Sequence, residues 1–175
     1  YSYDPAEDRE RLERANEILP AELSNQKLRW LLVYTKYVVD MMGMEPYFYA
    51  MFDSPDRVHE LMEFLRTDLE DYILWQEKEG LLTPNNGNHY VGSGSYGFTD
   101  TLSGEPVLRQ MWGNLNSQES VSISPEMFGE FVYPYYEKTA RLFGKVYWAC
   151  CEPVDKIWDD YISKLPHLAK VSISA

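Results

Sequence analysis

Hydrophobic and polar positions divide this chain into segments of different period. Residues 5–19 carry a dense charge pattern, Glu7-Asp8-Arg9-Glu10-Arg11, with Leu12, Ala15, Ile18 and Leu19 as a narrow apolar stripe. That spacing predicts a charged N-terminal helix within 1–20, stopped by Pro20. Residues 28–39 are apolar without a clear period and read either as a buried strand or as the first turns of a helix. Met41-Met42-Gly43-Met44-Glu45 breaks the run, and a short helix to Phe52 is expected. The strongest pattern follows. Asp53 or Ser54 is placed to cap a helix, Pro55 sits in its first turn, and Asp56 complements the dipole. Val58, Leu61, Met62, Leu65, Leu69, Tyr72 and Ile73 then mark one helical face as far as Gly80.

The pattern changes at residues 83–106, where Gly and Asn replace aliphatic residues. A stretch of this kind is either surface loop or backbone that passes close to a ligand. The closing third alternates short apolar runs with helical spacing. Ser120-Val121-Ser122-Ile123-Ser124 reads as a strand, and Ser124, Pro125 and Glu126 read as a helix start. Met127, Phe128, Phe131, Tyr135, Leu142 and Phe143 form one face of that helix, with a kink expected at Pro134. Residues 145–149 read as a second strand, Pro153 opens a helix bearing Val154, Ile157, Trp158, Tyr161 and Ile162, and residues 170–174 read as a third strand. Strand, helix, strand, helix, strand with short links predicts parallel βαβ units, in a barrel or a doubly wound sheet.

Composition narrows the possible partners. The 175 residues are 45% hydrophobic and 25% charged, which fits a folded domain. The formal charge of −12 and the lack of a Lys/Arg cluster argue against nucleic acid. The longest apolar run, around Trp30 to Val33, is far short of the roughly 20 residues of a membrane span. The opening Tyr1-Ser2-Tyr3-Asp4 does not resemble a secretory leader, and two adjacent Cys cannot make a disulfide framework, so a reducing cytoplasm is expected. The 14 Tyr and 5 Trp suit either a wide amphipathic pocket or simply a Tyr-rich core and surface.

Several motifs in order carry a resemblance. Met42-Gly43-Met44-Glu45, Phe52-Asp53-Ser54-Pro55, Ser117-Gln118, Ile123-Ser124-Pro125-Glu126-Met127-Phe128, Glu130-Phe131-Val132 and Pro134-Tyr135, with the short strand ending at Cys150, resemble the uroporphyrinogen decarboxylase-like superfamily. The resemblance implies a (β/α)8 barrel. The chain would be a single domain, 1–175, forming the central to C-terminal portion of such a barrel, since a full one takes roughly 250 residues. A piece of a longer protein, or pairing with a second copy into a homo-oligomer, is then expected.

Barrel chemistry sits at the C-terminal ends of strands, which places the Trp148-Ala149-Cys150-Cys151-Glu152 corner at the expected active-site face. In the superfamily's methyltransferases this position is His-any-Cys, a pair of zinc ligands; here Trp148 stands in place of the His and Cys150 matches. Zinc would be held by Cys150, Cys151 and Glu152, with His89 as a further ligand. The competing reading is two small packed cysteines and a glutamate at a helix start. Cys150, Glu152, Asp100 and Tyr96 are the candidate catalytic residues, and Thr99 lies between the last two. Trp148, Gln118 and Asn114 are the candidate cofactor-binding residues, with Glu119 beside them. His59 and His167 read as structural. The expected function is methyl transfer to or from a corrinoid, with a small-molecule substrate and a corrinoid protein as partners. The alternatives are uroporphyrinogen decarboxylation, which fits poorly without an Arg cluster near the loops, and a non-catalytic module that holds a tetrapyrrole or corrinoid.

Overall fold

The computed structural model describes residues 1–20, 22–23, 34–92, 94–148 and 151–172. Helix α1 (Pro5–Ile18) begins where Asp4 accepts a hydrogen bond from the Ala6 N–H at 2.8 Å, and Pro5 occupies its first turn. No α1 residue is buried. The chain ahead of it is tied down by Tyr1, whose hydroxyl donates to Asp68 and whose ring lies 5.0 Å from that of Tyr72.

Three helices form a layer: α2 (Tyr34–Met42), α3 (Met44–Asp53) and α4 (Pro55–Lys78). Gly43 joins α2 to α3 with φ 87°, a conformation that residues with a Cβ adopt only at a cost. The ambiguous stretch 28–39 is helical from Tyr34; its earlier part lies outside the described residues. Helix α4 follows the expected pattern, with Pro55 and Asp56 in its first turn and Val58, Met62, Leu65 and Ile73 buried. Ser54 occupies the cap position without a side-chain hydrogen bond, so Pro55 and Asp56 carry the start signal.

The sheets are small. Strands β1 (Tyr90–Gly92) and β2 (Ser95–Tyr96) form an antiparallel pair inside the Gly-rich segment. Strands β3 (Trp112–Leu115), β4 (Lys145–Trp148) and β5 (Leu168–Val171) form a parallel sheet in the order β3-β4-β5, with Leu115 opposite Trp148 and Trp148 opposite Val171. Between β3 and β4 run α5 (Pro125–Phe131) and α6 (Tyr133–Ala140).

This arrangement corrects the expected (β/α)8 barrel. Among the described residues, six helices accompany a two-stranded and a three-stranded sheet, and no ring of parallel βαβ units is present. The elements themselves also differ. Residues 118–122 form a 3-10 turn in place of the expected strand at 120–124, because the Ser117 and Ser120 hydroxyls bond each other at 2.5 Å and close the chain locally. The strand that pairs with β4 is Trp112–Leu115, further upstream. The helix expected after Pro153 is replaced by 3-10 turns at Asp155–Ile157 and Ile162–Lys164. The Tyr161 ring is drawn instead onto Phe128 and Tyr133, centroids 5.7 and 5.3 Å away, over Gly129 where a Cβ would stand 2.1 Å from its hydroxyl. The kink expected at Pro134 is a full break: α5 ends at Phe131, and Pro134 lies in the first turn of α6.

The parallel sheet has two dissimilar faces, as the period of a strand requires. One presents Leu115, Val146 and Trp148 to the helices, in the main core with Phe128, Phe131 and Tyr136. The other presents Trp112 and Tyr147, which pack with Val91 and Leu102 of the Gly-rich segment. That segment is bonded to the sheet and is not a free loop. Asn85 donates to the Trp112 carbonyl at 2.9 Å and accepts from the Trp112 N–H at 2.8 Å, imitating a neighbouring strand at the β3 edge. The Trp112 indole donates to the Gly97 carbonyl at 2.9 Å, and a Cβ on Gly97 would stand 1.7 Å from the Asn85 carbonyl oxygen. Asn85→Ala leaves both buried Trp112 backbone groups unpaired and is expected to cost about 2–4 kcal/mol, read from urea unfolding. No helix among the described residues is long and apolar enough to cross a membrane.

Candidate functional site

Strand β4 carries Trp148 into the core, and four residues later the chain places Glu152 beside it. Trp148 is 1% exposed and meets the rings of Phe128 and Tyr136 edge-on, at 6.2 and 5.3 Å. Glu152 is 4% exposed. Its Oε1 accepts the Ser117 backbone N–H at 3.2 Å, which ties the end of β4 to the segment leaving β3. Among the described residues, Oε2 has no hydrogen-bond partner, and neither has Trp148 Nε1. The indole N–H is near enough to the carboxyl to favour its charged form, yet the two do not close a hydrogen bond.

Burial raises the Glu152 pKa above the ordinary carboxylate value. The backbone N–H groups of Glu152 and Ser117 oppose that shift in part, and the charge of Glu119 adds to it. Ser117, whose backbone N–H bonds Glu152, is linked through a network of hydroxyls to Glu119: Ser117 Oγ donates to Thr35 Oγ1 at 3.1 Å, and Thr35 Oγ1 donates to Glu119 Oε2 at 2.9 Å. Tyr136 closes it from α6, its hydroxyl 3.3 Å from Thr35 Oγ1. Beside this network lies a cavity of about 100 Å³, lined by Ser117, Ser120, Val121, Phe128, Trp148 and Glu152, with Lys156 at its edge. The site therefore offers a carboxyl inclined to hold its proton, an indole donor and an apolar wall within one small enclosure.

The other sequence candidates fall elsewhere. Cys150 and Ala149 lie outside the described residues. Cys151 is a free, exposed thiol. Tyr96 is 52% exposed and its carbonyl accepts from Lys170, Thr99 bonds Thr101, and Asp100 is exposed. Asn114 belongs to the opposite sheet face, its amide pressed against Gly92, where a Cβ would come within 2.2 Å. His89 is half-buried in the Gly-rich segment with an unpartnered Nδ1 among the described residues. Gln118 is exposed on the 3-10 turn. The structure thus joins Trp148 to Glu152, and none of His89, Tyr96, Asp100, Asn114 or Gln118 lines their cavity. Among the described residues, no three His, Cys, Asp or Glu side chains stand together to hold a metal. Cys151 is exposed, while Glu152 accepts from the Ser117 backbone N–H.

Thr35, Ser120 and Tyr136 join the site unannounced by sequence. Ser117 and Ser120 stand at turn spacing, a signal that points to local structure alone. His59 and His167 make packing contacts: His59 stacks on Phe131 at 4.9 Å and bonds the Tyr135 hydroxyl at 2.8 Å, and His167 bonds the Phe143 carbonyl.

No protein-family model, curated protein or solved structure matches this chain.

Proposed function

We propose that this chain carries part of a cytoplasmic uroporphyrinogen decarboxylase-like enzyme of the methyltransferase kind, with Glu152 as its proton donor. The observation that carries this reading is an enclosed carboxyl with one unpaired oxygen, placed after a parallel strand and on the wall of a cavity. The ordered motifs from Met42 to Cys150 support it; a closed barrel forms no part of it. Transfer of a methyl group away from an oxygen breaks the C–O bond and leaves the electron pair on that oxygen. A carboxyl holding its proton neutralises the leaving oxygen, and Glu152 supplies that proton.

A corrinoid, when bound, takes up the methyl group. The cavity, about 100 Å³, admits a small substrate and not a corrinoid macrocycle, so a corrinoid protein would meet the substrate at the cavity's mouth. Zinc, if held, would be held through Cys150, and the proton chemistry of Glu152 does not depend on it. Decarboxylation is the second reading, favoured by the same carboxyl: the electron pair of the broken C–C bond remains on carbon, and carbon takes the proton.

The test follows the formation of methylcobalamin from cob(I)alamin with methanol as the O-methyl donor, and assays uroporphyrinogen for coproporphyrinogen in parallel. Protein-dependent formation of methylcobalamin, slowed in Glu152→Gln, is the expected result. Coproporphyrinogen formation would transfer the assignment to the decarboxylase, and inactivity in both assays would remove the enzyme reading. Metal analysis belongs to the same preparation: zinc present in the protein and lost in Cys150→Ser is the result expected of a zinc-dependent member.

A further inference from the structure

Helix α3 divides its apolar residues between two ridges. Tyr47 and Met51 are buried in the main core. Met44, Phe48 and Phe52 recur every fourth residue as a second ridge, with Glu45 and Tyr49 beside them, and this ridge is largely open. Phe52 is 72% and Tyr49 61% exposed, and Met41 and Met44 are exposed on either side of the Gly43 turn. Single exposed apolar residues need no explanation, but aromatic and methionine side chains gathered in one place form the kind of patch that marks an interaction surface. An open groove of about 410 Å³ runs along it, lined by Met44, Glu45, Phe48 and Tyr49. Methionine adapts its shape to what fills such a groove.

The charge around the patch selects its occupant. Glu45 lies in the groove itself, Asp53 ends α3, Asp56 follows in the first turn of α4, and all three are exposed. Among the described residues Glu45 and Asp53 make no ion pair, and the neighbouring cations are engaged elsewhere, Lys36 of α2 with Asp40 and Arg57 of α4 with Glu60. A second copy would bring these carboxylates against their own counterparts, on a chain of formal charge −12. An anionic membrane surface meets the same repulsion. A helix with an apolar stripe flanked by Lys or Arg matches both features. We propose that the open face of α3 binds a basic amphipathic helix of a partner protein, its stripe on Met44, Phe48, Tyr49 and Phe52 and its cations on Glu45 and Asp53. This surface shares no residue with the cavity beside Glu152 and is independent of the function proposed for that site.

The experiment titrates the full chain, labelled with 13C at its methionine methyls, with a helix-forming peptide of leucine and lysine about 15 residues long. A peptide of the same pattern built from leucine and glutamate is titrated in parallel. Of the 7 methionine signals, those of Met41 and Met44 are expected to move with the leucine–lysine peptide, while that of buried Met62 stays and reports an intact core. Met41→Leu and Met44→Leu identify the two signals by their disappearance. Phe52→Ala should weaken binding about tenfold or more. Glu45→Lys combined with Asp53→Lys should do the same. Glu13→Lys combined with Glu17→Lys, an equal change of charge on exposed positions of α1, should leave the affinity within about twofold. Stationary Met41 and Met44 signals at about 1 mM peptide would overturn the proposal, as would an affinity unchanged in Phe52→Ala, an equal loss in the α1 variant or equal binding of the leucine–glutamate peptide. Sedimentation of the protein alone tests the other occupant. Phe52→Ala is expected to sediment as the parent does, and a dimer abolished by that substitution would assign the surface to a second copy and overturn the proposal.

Discussion

Glu152→Gln is expected to lower turnover by about 10²–10⁴-fold, the usual contribution of a positioned general acid. The same substitution is expected to stabilise the protein at pH above the raised Glu152 pKa. Burial raises the Glu152 pKa above its unfolded value, so folding favours the protonated form. That contribution is fully present below the ordinary glutamate pKa and is lost as pH rises through the raised one. Above that raised value the wild type carries the cost of an enclosed, incompletely paired carboxylate, and the neutral amide does not. Gln also keeps an oxygen for the Ser117 N–H. Urea midpoints of the two proteins, compared from pH 4 upward, should separate with the variant higher, alongside the activity loss. A variant both less active and less stable would mark Glu152 as a structural group.

Trp148→Ala is expected to destabilise by about 3–5 kcal/mol, the range for truncating a large buried aromatic. The ring is almost fully buried and wedged edge-on between Phe128 and Tyr136, and it also forms one wall of the cavity. Its removal merges the ring's space with that cavity, which limits collapse and sets the cost toward the upper end. Trp148→Phe is expected to cost much less. It retains an aromatic face and removes an indole N–H that has no partner among the described residues, so little hydrogen bonding is lost. Thermal or urea unfolding of the pair distinguishes the two contributions. Equal losses would mean that the indole N–H, and not the ring, holds this part of the core.

How much of this was legible in the sequence depends on whether the deciding forces were local. Helix α4 was readable because Pro55, Asp56 and the spacing from Val58 to Ile73 all act within one element. Strand β4 was readable from a short apolar run after Gly144. Strand β3 was not, since Trp112-Gly113-Asn114-Leu115 has neither β-branched residues nor alternation. Its pairing is set by the strand beside it and by Asn85, 27 residues away. Gly113 is required there because a Cβ would meet the Phe143 ring at 2.3 Å, a contact that no sequence pattern announces. The alternation Val121-Ser122-Ile123 imitated a strand and lost to the local bond between Ser117 and Ser120. The barrel was inferred from motif resemblance, and the described strands, each of 2–4 residues, do not close into one.

The site divides in the same way. Glu152 and Trp148 stood out because a strand end is a fixed place for chemistry. Which face each candidate occupies was not legible: Asn114 lies one residue before Leu115 and therefore points away from Trp148. The Thr35–Ser117–Glu119–Tyr136 network joins parts of the chain up to 101 residues apart and depends wholly on the packing of α2 against the turn and α6.

The most direct measurement is the titration of the Glu152 carboxyl carbon by NMR in protein labelled with 13C at glutamate, its signal identified by its absence in Glu152→Gln. A midpoint clearly above the ordinary glutamate value is the predicted result. A midpoint at or below the ordinary value would mean a carboxyl that gives up its proton as readily as a free one, which contradicts its role as proton donor.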